Sequence, residues 1–246
     1  MKITFLGTSH GIAERDRCCS CTVITVNGKH YLIDAGAPIY DLLQRYNFRF
    51  EDIGGIFITH THSDHNIGLV ALYDALNSFN KFSHVKIKAY TPDEVFYNNI
   101  KAFLGFLPDH KRLEFIKYNN GLCFDDGNIK VTSIPTAHIE GSHAFIIEAE
   151  GKKIGFSGDL HRDLFDYPKE FTNANDKLEL VVMEGAHQFY KDEYVYNVLK
   201  NTNTKKMLIN HICSGRNNPE IMQAFKQKIK DSFDVDVAYD GLTLQI

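Results

Sequence analysis

Residues His60-Thr61-His62-Ser63-Asp64-His65 place three imidazoles and a carboxylate in six consecutive positions, directly after the apolar run at 56–58. A string of this H-x-H-x-D-H form is expected roughly 0.002 times in a random chain with this content of His and Asp. A buried strand fixes the backbone, and the turn after it aims polar side chains into a cleft. His60 and His62, two apart, can therefore converge on one metal while Asp64 and His65 turn toward another. The chain must fold so that further ligands reach the same strand ends.

Composition is compatible with one such fold. At 246 residues, with 43% hydrophobic and 24% charged side chains, the chain suits a globular domain and excludes disorder, collagen-like repeats and coiled coil as its main organisation. No linker, repeat or low-complexity run divides it, so a single domain over 1–246 is expected. The formal net charge of −4 argues against wrapping a long nucleic-acid track or an anionic membrane. No stretch approaches the roughly 18 apolar residues of a membrane span. The first residues, MKITFLGTSHG, hold no secretory apolar run, and the five cysteines are an odd number. A cytoplasmic location is expected.

The apolar pattern reads as mixed α/β. Strands are predicted at 3–6, 22–26 and 31–33, the last two joined by the Asn27-Gly28 turn pair. A helix at 39–46, a strand at 56–58, a helix at 66–79, a strand at 85–90 and a helix at 92–106 follow. Further strands are predicted at 129–134, 144–148, 153–156, 178–183, 206–209, 235–238 and 242–244, with helices at 193–200 and 219–230. Two sheets with helices outside accommodate this order.

Three more candidate ligands stand where predicted strands end: His138, Asp159 and His211. His60, His62 and His138 would complete one site and Asp64, His65 and His211 another, with the Asp159 carboxylate bridging them and leaving room for a hydroxide. Asp64 could also accept the proton of that water. Downstream of His211 the segment through Ser214, Arg216, Asn218 and Pro219 opens a helix, with Asn218 as cap and Pro219 at the first position. Its amides suit an anion, and Arg216 could grip a phosphate. His10, in a glycine-flanked turn, would line the cleft if that loop folds over the metals. Cys18, Cys19 and Cys21 lack a second C-x-x-C half and read as reduced thiols. Phe103, Phe106 and Leu107, with Lys101, Lys111 and Arg112, read as core packing beside a solvated charged face.

These motifs resemble the metallo-β-lactamase superfamily, whose conserved positions match Asp34, the 60–65 string, His138, Asp159 and His211 in order. Within it the chain is similar to ribonuclease Z, through Phe5-Leu6-Gly7-Thr8-Ser9 with Arg17, Leu32-Ile33-Asp34-Ala35-Gly36, Ser157-Gly158-Asp159 and Val237-Ala238-Tyr239-Asp240. The resemblance implies an αββα sandwich with a dinuclear site at one edge, and a role for Asp34 in ordering the histidine loop. Two departures matter. His138 and Asp159 are only 21 positions apart, which leaves no room for the tRNA-holding arm of ribonuclease Z. Its His-Glu-Ala-Thr motif is replaced by Met183-Glu184-Gly185-Ala186-His187, with His187, backed by Glu184, as the substitute proton donor.

The expectation is a dinuclear metal-dependent hydrolase, a phosphodiesterase acting on a phosphodiester or nucleotide smaller than tRNA. Zinc is the default among two divalent ions per chain, with manganese and iron as alternatives. The partners expected are that small substrate and, as an option, a second copy in a homodimer. A lactone, thioester or β-lactam hydrolase of the same fold is the first alternative. A non-catalytic diiron redox or oxygen sensor is the second, although such a protein would be expected to carry a carboxylate where His62 stands.

Overall fold

A computed structural model describes residues 1–93, 95–105 and 110–246. They form two compact units interleaved along the chain: Met1–Gly7, Gly11–Tyr118 and Asp240–Gln245 in the first, and Thr8–His10, Asn119–Tyr239 and Ile246 in the second.

The first unit holds strands β1 (Lys2–Gly7), β2 (Cys21–Val26), β3 (Lys29–Ile33), β4 (Ile53–Phe57), β5 (Ile87–Thr91) and β6 (Leu113–Lys117), and the terminal strand β14 (Thr243–Gln245). Their order is β14-β1-β2-β3-β4-β5-β6. The sheet is antiparallel from β14 to β3 and parallel from β3 to β6. The β2–β3 hairpin forms because Asn27 and Gly28 accept positive φ (50° and 77°), the geometry of the tight turn that matches strand twist. Parallel pairs need crossovers. These are α1 (Ile39–Arg45), the short α2 (Ser63–Asn66) followed by α3 (Gly68–Ser78), and α4 (Val95–Phe103). Leu32, Ile56 and Ile58 pack with Ile39, Leu43, Leu69, Leu72 and Leu76 in one core cluster. Each buried side chain of this kind contributes about 1.5–3 kcal/mol.

The second unit repeats the plan. Strands β7 (Gly121–Asp125), β8 (Lys130–Pro135), β9 (His143–Ala149) and β10 (Lys152–Phe156) form an antiparallel meander. Strands β11 (Leu180–Gly185), β12 (Lys206–Ile212) and β13 (Asp234–Val237) then add in parallel. Helix α5 (Glu193–Leu199) links β11 to β12, and α6 (Pro219–Ile229) links β12 to β13. As the sequence predicts, Asn218 caps α6 by accepting from the Ile221 amide at 3.0 Å, and Pro219 takes the first turn. Val181, Met183, Met207 and Ile209 pack with Val195, Leu199, Met222 and Phe225.

Two mixed seven-stranded sheets with helical crossovers agree with the fold class read from the sequence. Several boundaries differ. The sequence gives no sign of β6 and β7, because their half-exposed side chains show little alternation and their pairing with β5 and β8 is what makes them strands. The helix expected over 66–79 is divided at Ile67, and Asp64 and His65 lie on α2 instead of in an open turn. The helix expected over 92–106 is observed as Val95–Phe103, while Phe106 and Leu107 lie outside the described residues. Among the described residues no helix is long and apolar enough to cross a membrane.

Candidate metal centre

In parallel sheets, functional groups collect beyond the carboxyl ends of the strands. The first unit follows this rule through β3 and β4, neighbours in the sheet. Asp34 follows β3 with φ at +61°, a conformation uncommon for a side chain other than glycine. Its Oδ1 accepts from the Thr59 amide at 2.8 Å and its Oδ2 accepts from His65 Nδ1 at 2.7 Å. The Thr59 hydroxyl also donates to Asp34 and sits 3.1 Å from His60 Nδ1. With Nδ1 held by a carboxylate, His65 presents the lone pair of Nε2, 3.6 Å from Asp64 Oδ2. Asp64 Oδ2 accepts from the Gly11 amide at 2.6 Å. His60 Nε2 and His62 Nδ1 are 3.0 Å apart. Backbone closeness makes this possible: a Cβ on Gly36 would lie 1.5 Å from the Asp64 carbonyl oxygen, so only glycine fits there.

In the second unit, Asp159, Glu184 and His211 stand at the ends of neighbouring strands β10, β11 and β12, and His138 follows β8. Asp159 Oδ2 lies 3.3 Å from His211 Nε2, 3.6 Å from His138 Nε2 and 3.7 Å from His187 Nδ1. These exceed ordinary hydrogen-bond lengths. Two atoms each about 2.1 Å from one tetrahedral ion are about 3.4 Å apart, so the spacing is that of groups sharing a cation. Imidazole with carboxylate is also the donor chemistry of zinc, manganese and iron. The residues of both units therefore fit a divalent metal.

Glu184 is almost fully buried at 3% exposure and enclosed by donors. Its Oε2 accepts from the amides of Ala186 and His187 at 2.8 and 2.9 Å, and its Oε1 accepts from Leu160 N at 3.3 Å and pairs with His187 Nδ1 at 3.1 Å. These bonds tie it to His187 and to the loop that follows Asp159. Burial by itself would lower the pKa of His187, but the hydrogen bond and charge of Glu184, helped by Asp159, outweigh it and raise the pKa.

Arg216 donates to the carbonyls of Ala186 at 2.7 Å and His187 at 3.4 Å, and lies 4.8 Å from the centre of the Phe189 ring. These contacts brace the His187 loop. Asn217, which the sequence did not single out, clasps the same loop through the Gly185 and Gln188 carbonyls and the Tyr190 amide. Ser214 is exposed ahead of α6. His10 packs edge-on to His211, with ring centres 5.9 Å apart. A further residue the sequence missed is Asp166, which accepts from the amides of Ala137 and His161. A short acidic residue in a loop carries no local signal of such a role. None of the five cysteines is in a disulfide. Burial, followed by the charge of Asp64, pushes the Cys19 thiol up to about 11, so it stays protonated and a poor ligand.

Residues 1–184 match the family described as "Anti-Pycsar protein Apyc1". The chain belongs to that family. This Apyc1-family chain is also similar to ribonuclease Z of Prochlorococcus marinus (strain NATL1A), 30% identical over 152 residues that cover 59% of the chain and 48% of the relative. It thus spans about half the length of the curated relatives it matches. Among solved structures, the metallo-β-lactamase fold protein YhfI from Bacillus subtilis aligns with a TM-score of 0.76 at 16% identity, covering 99% of both chains. Human tRNase Z, short form (ELAC1), aligns with 0.71 at 20% identity, covering 100% of this chain and 99% of that one. The fold of this Apyc1-family member is the metallo-β-lactamase fold. The hairpin of β9 and β10, turning at Glu150 and Gly151, fills the interval between His138 and Asp159, where the sequence left no room for an arm.

Proposed function

We propose that the chain works as one domain over 1–246, as a dinuclear metal-dependent phosphodiesterase acting on a small phosphodiester or nucleotide. The observation that carries this reading is Asp159 Oδ2, which has the imidazoles of His138, His187 and His211 within 3.3–3.7 Å. One ion would be held by His60, His62 and His138, the other by Asp64, His65 and His211, with Asp159 common to both. Zinc is the first choice for so many imidazoles. Two divalent ions would lower the pKa of a water between them and neutralise the charge that develops on a phosphoryl oxygen.

The chain's own residues supply the rest. Asp64 accepts the proton of the attacking water, and His187 delivers one to the departing alkoxide while Glu184 fixes its ring and favours its charged form. The turn at Ser214, with Arg216 and His10, would line the approach for the phosphate. Relatives named ribonuclease Z and tRNase Z support phosphodiester chemistry. The absence of an arm between His138 and Asp159 and the net charge of −4 favour a substrate smaller than tRNA.

The test is metal analysis of purified protein with turnover of bis(p-nitrophenyl) phosphate, cyclic nucleotides, a lactone and a pre-tRNA. Two metals per chain and cleavage of the small phosphodiesters are expected. Lactone hydrolysis without action on any phosphodiester, or efficient release of a pre-tRNA 3′ trailer, would overturn the reading.

A further inference from the structure

Within the first unit, a cavity of about 390 Å³ opens beside the histidine loop, and Thr61, between His60 and His62, is part of its wall. Its volume lies within the range of about 300–1,000 Å³ that holds a small organic ligand. Two of its walls are large apolar side chains left in the open: Ile67 at 54% and Phe103 at 78% exposure. Single exposed apolar residues need no explanation, but two lining one cavity, with Val70 and the buried Ile100 beside them, make a concave apolar surface. The polar groups are few. Asn99 offers an amide, and Asp93 is the one charged group among the described residues that line the cavity. Asn66, also in the wall, donates from Nδ2 to the His62 carbonyl at 2.8 Å, which ties the pocket to the loop carrying the candidate ligands.

We propose that this cavity binds the nucleoside half of the substrate, with its planar base stacked on Phe103 and its amino or hydroxyl donors directed to Asp93 and Asn99. The position of the phosphate in this scheme rests on the phosphodiesterase reading above. The chemistry of the walls selects the ligand class. An aromatic face beside aliphatic carbons suits an uncharged heterocycle, because every base presents a π-face and stacking tolerates any sequence. A carboxylate accepts hydrogen bonds and repels anions, so Asp93 admits a base or ribose and disfavours a second phosphate. The pocket thereby discriminates a single-phosphate nucleotide diester from a polynucleotide, whose next phosphate would approach Asp93.

Two measurements test it. Saturation-transfer NMR of adenosine, which has no phosphate to hydrolyse, should show binding to the protein as purified and its loss in Phe103→Ala, a substitution at an exposed position. In parallel, thymidine 5′-(p-nitrophenyl phosphate) and methyl p-nitrophenyl phosphate share a leaving group and differ in the nucleoside. The ratio of their kcat/KM values should favour the nucleoside substrate, and it should fall roughly 10-fold in Phe103→Ala, chiefly through KM, as loss of one base stack requires. Asp93→Asn should weaken the same preference and relax discrimination against a dinucleotide. Adenosine transfer that is absent, or unchanged in Phe103→Ala, or a substrate ratio unaffected by both variants, would overturn the pocket. If neither diester is turned over while adenosine transfer still depends on Phe103, the pocket stands and the phosphodiesterase reading fails.

Discussion

Asp166 accepts a hydrogen bond from the backbone amide of Ala137 at 2.7 Å, and its two oxygens also accept from the His161 amide at 3.1 and 3.0 Å. One half-buried carboxylate thus ties the residue before His138 to the loop that follows Asp159. His138 Nε2 and Asp159 Oδ2, on the two segments so tied, are 3.6 Å apart. Asp166→Ala is expected to weaken metal binding by about 10- to 100-fold, the usual effect of removing the support of a ligand. Asp166→Asn, which keeps an acceptor, should lose less. Titration against a competing chelator measures both, and equal affinities in all three proteins would show that the tie does not govern the site.

Asp159 touches three imidazoles, so its replacement should be the most damaging single change. Asp159→Ala is expected to reduce the metal content measured by mass spectrometry and to abolish phosphodiesterase activity. A variant that kept both metals and full turnover would refute the shared-ligand assignment.

His187 Nδ1 pairs with Glu184 Oε1 at 3.1 Å, and the benefit of the proton it is proposed to deliver depends on the leaving group. His187→Ala should lower kcat by roughly 10²-fold for an alkyl phosphodiester but much less for p-nitrophenolate, which departs unaided, with metal content unchanged. Equal losses for both substrates, or the loss of an ion, would assign His187 another role.

His30 and His143 lie in different units, and in both rings burial outweighs the opposing influences and lowers the pKa. The unfolded chain therefore takes up protons near the ordinary pKa of about 6.5 while the folded chain does not. Their contribution to stability is complete above that pH and is lost as the pH falls toward the lower folded values. The melting temperature should drop between pH 7.5 and 5.5. The drop should be shallower in His143→Gln, which shares every candidate metal ligand with the wild type and so isolates this ring. Parallel profiles would exclude it as a source of the slope.

Gly36 faces backbone on its open side, with the Asp64 carbonyl carbon 2.1 Å from where a Cβ would sit. The Ser20 amide also donates to that Asp64 carbonyl at 3.1 Å, so the loop has little freedom to retreat. Gly36→Ala is expected to destabilise the protein by about 1–3 kcal/mol, as overpacking does, and to weaken metal binding through displacement of Asp64. Denaturant unfolding alongside metal titration checks both, and a variant with wild-type stability would show that the loop relaxes.

The elements legible in the sequence are those whose cause lies within a few residues. Asn27-Gly28 specifies its hairpin because the two residues themselves adopt the positive φ the turn requires, and Asn218-Pro219 starts α6 because the capping oxygen reaches an amide three positions on. The 60–65 string was legible for the same reason: an apolar strand and the polar run after it are neighbours in the chain. Strands β6 and β7 were not, since what makes them strands is the partner each pairs with. The bracing contacts of Arg216 were also beyond local reading, because the carbonyls it holds lie 30 and 29 positions earlier.

The sequence by itself determined which side chains stand at the ends of strands, because an apolar run and the polar residues after it are fixed by local propensity and burial. Only the tertiary structure decided which of them meet. Asp34 reaches His65 across 31 positions, Asp166 reaches Ala137 across 29, and the pocket takes one wall from Thr61, Asn66, Ile67 and Val70 and the other from Asp93, Asn99, Ile100 and Phe103. Sheet order and crossover path settle such encounters, and neither is written in the preferences of any short segment.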